Sequence, residues 1–190
     1  MTKSNRALVI VDVQPTFCEG GSLPVSGGDA VAREIADFLS QDQGYDCIVT
    51  TQDWHIDPGT HFSENPDYKD SWPDHGVAGT AEADLHHELA NIKGKINYSV
   101  KKGMFQAAYS GFEGFDDHKR SLKQILDSES ITDVDVVGLA FDHCVKATAI
   151  DSAKNGFDTR VLAHLSAAVL PEVIVKVSDE MRSHGVEVIH

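Results

Sequence analysis

Long apolar runs are missing from this 190-residue chain. The first one, Ala7 to Val11, has five residues and stops at Asp12, far short of the ~20 residues of a membrane-spanning helix or of the core of an export signal. A membrane segment is therefore not expected, and the chain is expected in the cytoplasm. Positive charge is scarce too: 16 Lys and Arg stand against 30 Asp and Glu, for a formal net charge of -14. Such a field repels phosphate backbones and anionic lipid surfaces, which argues against nucleic acid and membranes as partners. Cysteine is rare. Cys18, Cys47 and Cys144 are odd in number and form no CxxC pair, a usage that excludes a disulfide framework and suits a reducing compartment. Neither a repeat nor a low-complexity tract nor a linker divides the chain, so residues 1–190 read as one domain, long enough to bury its own core.

What is present is an alternation of short β-branched runs with stretches of helical period. It predicts an α/β fold, a parallel sheet with helices on its faces. Strands are expected at Ala7 to Val13, Cys47 to Thr51, Ile96 to Val100, Val134 to Leu139, Thr159 to Leu162 and Val186 to Ile189. Helices are expected at Asp29 to Ser40, with Val31, Ile35, Phe38 and Leu39 on one face, around Leu122, Ile125 and Leu126, and from His143 to Asn155 before Gly156. A last helix opens at Pro171, with Val173, Val177 and Met181 in line. The segment from Asp53 to Gly79 carries Pro58, Pro66 and Pro73 and is a long loop of the functional kind.

In such a fold the site lies beyond the carboxyl ends of the strands. Asp12, Lys102 and Cys144 all fall there, on three separate segments. Cys144 follows Asp142 by two residues; with Asp142 as an N-cap, the thiol would sit in a first helical turn that favours a thiolate. An isolated cysteine is more often a buried, inert one, and it is Asp12 and Lys102 that favour chemistry. Asp53-x-His55, followed by His61 and His75, offers one carboxylate and three imidazoles, a donor set for one divalent transition metal ion such as zinc, iron(II) or manganese. Histidines in a loop can also be merely solvated. His86, His87, His118 and His184 are expected to be solvated surface residues.

Six blocks in order carry a resemblance. They are Val11-Asp12-Val13-Gln14 with Phe17-Cys18-Glu19-Gly20-Gly21-Ser22-Leu23, Asp53-Trp54-His55, His61-Phe62, Ser71-Trp72-Pro73 with His75, Lys102-Gly103 with Ala108-Tyr109-Ser110-Gly111-Phe112, and Asp142-His143-Cys144-Val145. Together they resemble bacterial nicotinamidases, also called pyrazinamidases, of the isochorismatase-like hydrolase superfamily, from Ala7 to about Met181. The resemblance implies a three-layer αβα fold with a six-stranded parallel sheet in the order 3-2-1-4-5-6. It implies a cysteine amidohydrolase acting on a small carboxamide: Asp12, Lys102 and Cys144 as catalytic groups, the backbone of Ala140 and Cys144 as oxyanion hole, Asp53, His55, His61 and His75 as metal ligands, and Phe17, Trp72 and Tyr109 as ring pocket. The expected reaction is deamidation of nicotinamide to nicotinic acid in NAD salvage, with pyrazinamide as a second substrate, by a monomer or homo-oligomer.

Two positions depart from the family. Phe141 stands where relatives usually have threonine, at a turn that contains a cis peptide in the family, and is expected to reshape the pocket rim or the oxyanion hole. His164 stands where relatives often carry aspartate and reads as structural or peripheral. Cys18 should lie near the pocket mouth, in a packing role. Other readings are a ureido or carbamoyl amidohydrolase, which does not need the Asp53, His55, His61 and His75 set, an isochorismate-cleaving relative, which lacks the nucleophilic cysteine, and a noncatalytic metal-binding domain of the same fold.

Overall fold

The β-branched runs form one six-stranded sheet in a computed structural model that describes residues 5–190. The strands are β1 (Arg6–Val11), β2 (Cys47–Asp53), β3 (Tyr98–Lys102), β4 (Asp133–Leu139), β5 (Asp158–Ala167) and β6 (Glu187–Ile189). They pair in parallel throughout, in the order β3-β2-β1-β4-β5-β6. The helices are α1 (Gly28–Ser40), α2 (Leu122–Ser128), α3 (Lys146–Lys154) and α4 (Ile174–Ser183). This is the architecture and the strand order the sequence implied.

Period-two alternation along β1 separates the core into two layers. Ala7, Val9 and Val11 pack with Leu122, Ile125, Ala149 and Met181, while Leu8 and Ile10 pack with Ile35, Leu39, Leu89 and Ile92. Helices α2, α3 and α4 thus cover one face. The other face is covered by α1 and a 3-10 helix at His87–Lys95. Among the described residues no helix is long and apolar enough to cross a membrane.

Boundaries moved where tertiary structure intervened. β1 ends at Val11 instead of Val13, because Asp12 takes a left-handed backbone with φ of 49°. β3 runs two residues further than expected, which makes Lys102 its last residue. β5 extends from Asp158 to Ala167, and a register shift between Val136 and Gly138 lets it follow β4 to its end. The helix expected from His143 begins as a tight turn of π type over Phe141–Val145 before α3.

The strand order reverses between β1 and β4, since the chain grows from β1 through β2 to β3 and then returns to β1's other side. A crevice opens at such a switch point, at the carboxyl ends of the strands. Asp12 leaves β1 there, and the turn after β4 carries Cys144.

Candidate active site

Asp12 is fully buried and held by β2: its N–H donates to the Thr51 carbonyl at 3.2 Å, and the Thr51 hydroxyl donates to its Oδ1 at 2.6 Å. Lys102 reaches in from the end of β3. Its ammonium lies 2.9 Å from Asp12 Oδ2, donates to Asp53 Oδ1 and to the Ala108 carbonyl at 3.2 Å, and stands 3.7 Å from Cys144 Sγ. Cys144 Sγ thus shares the Lys102 ammonium with the Asp12 carboxylate. One buried cation therefore holds two carboxylates and a thiol together.

The electrostatics follow from burial and pairing. Burial works to discharge Lys102, but Asp12 and Asp53 outweigh it and hold the ammonium protonated well beyond the usual lysine range. Burial pushes the Cys144 thiol well up against the pull of Lys102, with Asp12 and Asp53 adding to the rise. Burial also raises Asp12, only partly offset by Lys102. Asp53 ends below the usual carboxylate range, because Lys102 and His55 overcome the effect of its burial. In the resting site the thiol keeps its proton close to the Asp12 carboxylate.

The loop after β2 folds back over this trio. His55, His61 and His75 are all buried, and one nitrogen of each lies within 4.8 Å of the others. Two rings are oriented by carbonyls: Nδ1 of His55 meets the Gly103 carbonyl at 2.6 Å, and Nδ1 of His75 meets that of Pro73 at 2.7 Å. The Nε2 atoms are thereby left as acceptors, and both approach Asp53 Oδ2, at 3.5 and 3.7 Å. Gly103 makes the first contact possible, since a Cβ there would come within 2.5 Å of the His55 ring. His55 Nε2 and His61 Nδ1 are buried without a hydrogen-bond partner among the described residues. Buried nitrogens are seldom left so, and with a carboxylate beside them they fit a divalent metal ion. Burial holds His75 down at about 4 and also lowers His61, so both stay neutral and ready to bind.

Between the two groups runs a narrow cleft with about 60 Å³ of accessible space. Phe17, Trp72 and Tyr109 line it, together with Asp53, His61, His75, Ala140 and Cys144. The Trp72 indole N–H donates to the Tyr109 hydroxyl at 3.0 Å, which fixes two of the three aromatic walls. His143 was missed by sequence reasoning; it lines the cleft, with Trp72 edge-on to it at 5.4 Å. Its position between Asp142 and Cys144 was the available signal.

Four expectations need correction. Asp142 does not cap a helix: its carboxylate accepts the N–H groups of Val169 and Leu170 at 2.9 and 3.1 Å, tying down the loop after β5. Phe141 does not reach the pocket rim, because it is buried in the core beside Val145 and borders a separate depression with exposed His164. The expected cis peptide is there, between Leu139 and Ala140. His86 is not a solvated residue; it is buried and bonded to Asp29, whereas His87, His118 and His184 are exposed. Cys18 is buried and borders a different recess from the cleft.

Several known proteins resemble this chain over nearly its whole length. The nicotinamidase/pyrazinamidase of Mycobacterium tuberculosis is 50% identical over 184 residues, 97% of this chain and 98% of that protein. Among solved structures, PnC1 from L. infantum in complex with nicotinate superposes with a TM-score of 0.84 at 34% identity, covering 100% of this chain and 94% of that one. The pyrazinamidase of Pyrococcus horikoshii in complex with zinc gives 0.77 at 32% identity, covering 98% and 99%. The model of the isochorismatase domain matches residues 6–190. With a buried acid, lysine and cysteine at the switch point of a 3-2-1-4-5-6 sheet, this chain belongs to the isochorismatase domain family.

Proposed function

We infer that this chain is a nicotinamidase, a cysteine amidohydrolase that converts nicotinamide to nicotinic acid and ammonia in NAD salvage and also accepts pyrazinamide. The observation that carries this reading is the layout of the cleft: a thiol and a buried carboxylate on one lysine ammonium at one end, three imidazoles at the other, and aromatic walls between. Residues 1–190 act as one cytoplasmic catalytic domain on a small carboxamide, with neither nucleic acid nor membrane.

The chemistry runs through groups already in contact. Asp12 accepts the proton of Cys144, and the thiolate attacks the carboxamide carbon, pushing the carbonyl electrons onto oxygen. Backbone N–H groups of Ala140 and Cys144 are assigned to that oxyanion, each worth roughly 3 kcal/mol in acyl-transfer sites. The turn is rigid, because the Ala140 carbonyl accepts the N–H groups of His143 and Val145 at 3.0 and 3.1 Å. Asp12 returns its proton to the leaving nitrogen, and ammonia departs. Water then attacks the thioester with Asp12 again as base, and the carboxylic acid leaves as the thiol is restored. Lys102 is a positioning residue in this scheme, since its charge lowers the cost of the thiolate while fixing Asp12. Asp53, His55, His61 and His75 would hold one ion of zinc, iron(II) or manganese, supplying a Lewis-acidic position for a ring nitrogen or a water.

Ammonia release by the purified protein tests the reading. Nicotinamide and pyrazinamide should both be turned over. Benzamide keeps the shape and the amide but lacks the ring lone pair, and should lose roughly 100-fold in kcat/KM, about 3 kcal/mol. Isonicotinamide should also be poor. Equal turnover of benzamide would favour a broader amidohydrolase instead.

A further inference from the structure

A second set of ligand-type side chains lies outside the cleft, where the β1–α1 loop, the start of α1 and the 3-10 helix His87–Lys95 meet. Cys18 closes the turn Pro15–Phe17, Asp29 is in the first turn of α1, and His86 caps the 3-10 helix. Cys18 and His86 are buried, and one ligand atom from each of the three side chains lies within 4.8 Å of the other two. A recess leads to them, bordered by Cys18, Glu19, Asp29, Glu82, His86 and His87. We propose that Cys18, Asp29 and His86 form a second metal site, separate from the catalytic cleft, that takes one zinc ion.

The placement of these groups is rigid where it needs to be. The Glu19 carboxylate accepts the N–H groups of Gly27 and Asp29 at 2.6 and 2.8 Å, which fixes the first turn of α1 against the loop. Gly28 permits the contact, since a Cβ there would lie 2.8 Å from Cys18 Cα and 3.1 Å from its sulfur. The backbone N–H of His86 donates to the Val13 carbonyl at 2.9 Å. Of the three side chains only that of Asp29 is partly exposed, at 43%, which leaves it room to supply the small contraction the site needs. Ligands at ~2.3 Å for sulfur and ~2.0–2.2 Å for nitrogen and oxygen lie on the order of 3.5 Å apart around a tetrahedral ion.

Charge and ligand type select the ion. A thiolate, a carboxylate and a neutral imidazole sum to the charge that a divalent cation cancels, and Glu19 and Glu82 make the approach negative. Sulfur disfavours magnesium and calcium and suits zinc. Without the ion, His86 Nε2 donates to Asp29 Oδ1 at 3.0 Å, and Nδ1 accepts the Glu88 N–H at 3.3 Å. Burial, with Asp29 and Glu19 nearby, pushes the Cys18 thiol up to about 12, so it is protonated until a cation arrives. Binding transfers the Cys18 proton to solvent and moves the His86 proton from Nε2 to Nδ1, at the expense of the longer of its two bonds. One proton is released per zinc. The ion would tie the turn that carries Phe17 to α1 and the 3-10 helix.

Cobalt(II) is the probe, because a sulfur-bound cobalt gives a near-ultraviolet charge-transfer band that the imidazoles and carboxylate of the cleft cannot produce. Metal-free Cys144→Ala protein should show that band, with an intensity at saturation that corresponds to one sulfur-bound cobalt per chain. Cys18→Ser in the same background should abolish it. Asp29→Ala, at a partly exposed side chain, should weaken cobalt binding roughly 10-fold or more. Zinc content should be two per chain in the parent protein and one in Cys18→Ser. No band at saturation, a band that survives Cys18→Ser, or an unchanged affinity in Asp29→Ala would each overturn the site.

Discussion

The two halves of the cleft are built on opposite rules. At the switch point every charged atom has a partner: Lys102 serves Asp12, Asp53 and Cys144 at once. In the loop above it, His55 and His61 are buried with nitrogens that meet no hydrogen-bond partner among the described residues. Completeness suits a group that must keep one proton in one place. Incompleteness suits a group whose partner comes from outside. Asp53 belongs to both halves, with one oxygen on Lys102 and the other facing His55 and His75.

The largest effect should come from the complete half. Cys144→Ala should leave the fold and its bound metal unchanged while turnover falls roughly 10⁴-fold or more, as in other enzymes that lose a nucleophile. Steady-state ammonia release beside a thermal melt checks both, and a variant that retains a few per cent of activity would exclude the thioester.

Stability should separate the halves next. Lys102→Met strands two buried carboxylates, so the metal-free protein should lose about 3–5 kcal/mol in urea unfolding. His55→Gln removes no satisfied charge pair and should cost the metal-free protein far less, while lowering its metal content and activity together. If the two variants were equally destabilised, the contrast between paired and unpaired halves would be wrong.

A smaller effect should appear with pH in the metal-free protein. His75 takes up its proton near its ordinary 6.5 when unfolded and only at about 4 when folded. Between those values the unfolded chain binds more protons, so stability should fall as pH drops from about 6.5 to about 4, by on the order of 3 kcal/mol from this group. His61, lowered by burial as well, adds in the same direction. Urea midpoints at pH 7, 5 and 4 should show the loss, and His75→Gln should flatten it.

The smallest effect concerns the wall between the halves. Tyr109→Phe removes the acceptor of the Trp72 indole N–H, a bond worth about 1 kcal/mol. KM for nicotinamide should rise severalfold with kcat nearly unchanged. A drop in kcat alone would place Tyr109 in the chemistry instead of the wall.

Much of this was legible before any coordinates. β-branched runs marked the strands, and the positions after them marked Asp12, Lys102 and Cys144, because both signals are local. The i, i+2 spacing of Asp53 and His55 at a strand end was local too. What escaped was every contact made across the fold. Asp142 looked like a helix cap two residues before Cys144, yet its carboxylate goes to Val169 and Leu170, 27 and 28 residues away. His86 sits in a polar stretch and reads as solvated, but Asp29, 57 residues earlier, gives its buried ring a partner. Phe141 fills the core because the π-type turn directs it there, and no spacing in the sequence announces that turn. Likewise, nothing local shows that Lys102 must serve Asp53 as well as Asp12.

The position of β1 has one more consequence. It is paired on both edges, to β2 from Ala7 through Val11 and to β4 from Arg6 through Val11, and its side chains alternate between two cores, so a slip of one residue would move every one of them into the opposite core. The acceptor carboxylate comes directly after this strand and is anchored to β2 by Thr51. The sheet therefore acts as a ruler for the proton's path, and the amides of β1 should be among the slowest in the protein to exchange with deuterium. Activity should then vanish in step with global unfolding, with no earlier partial loss from this strand.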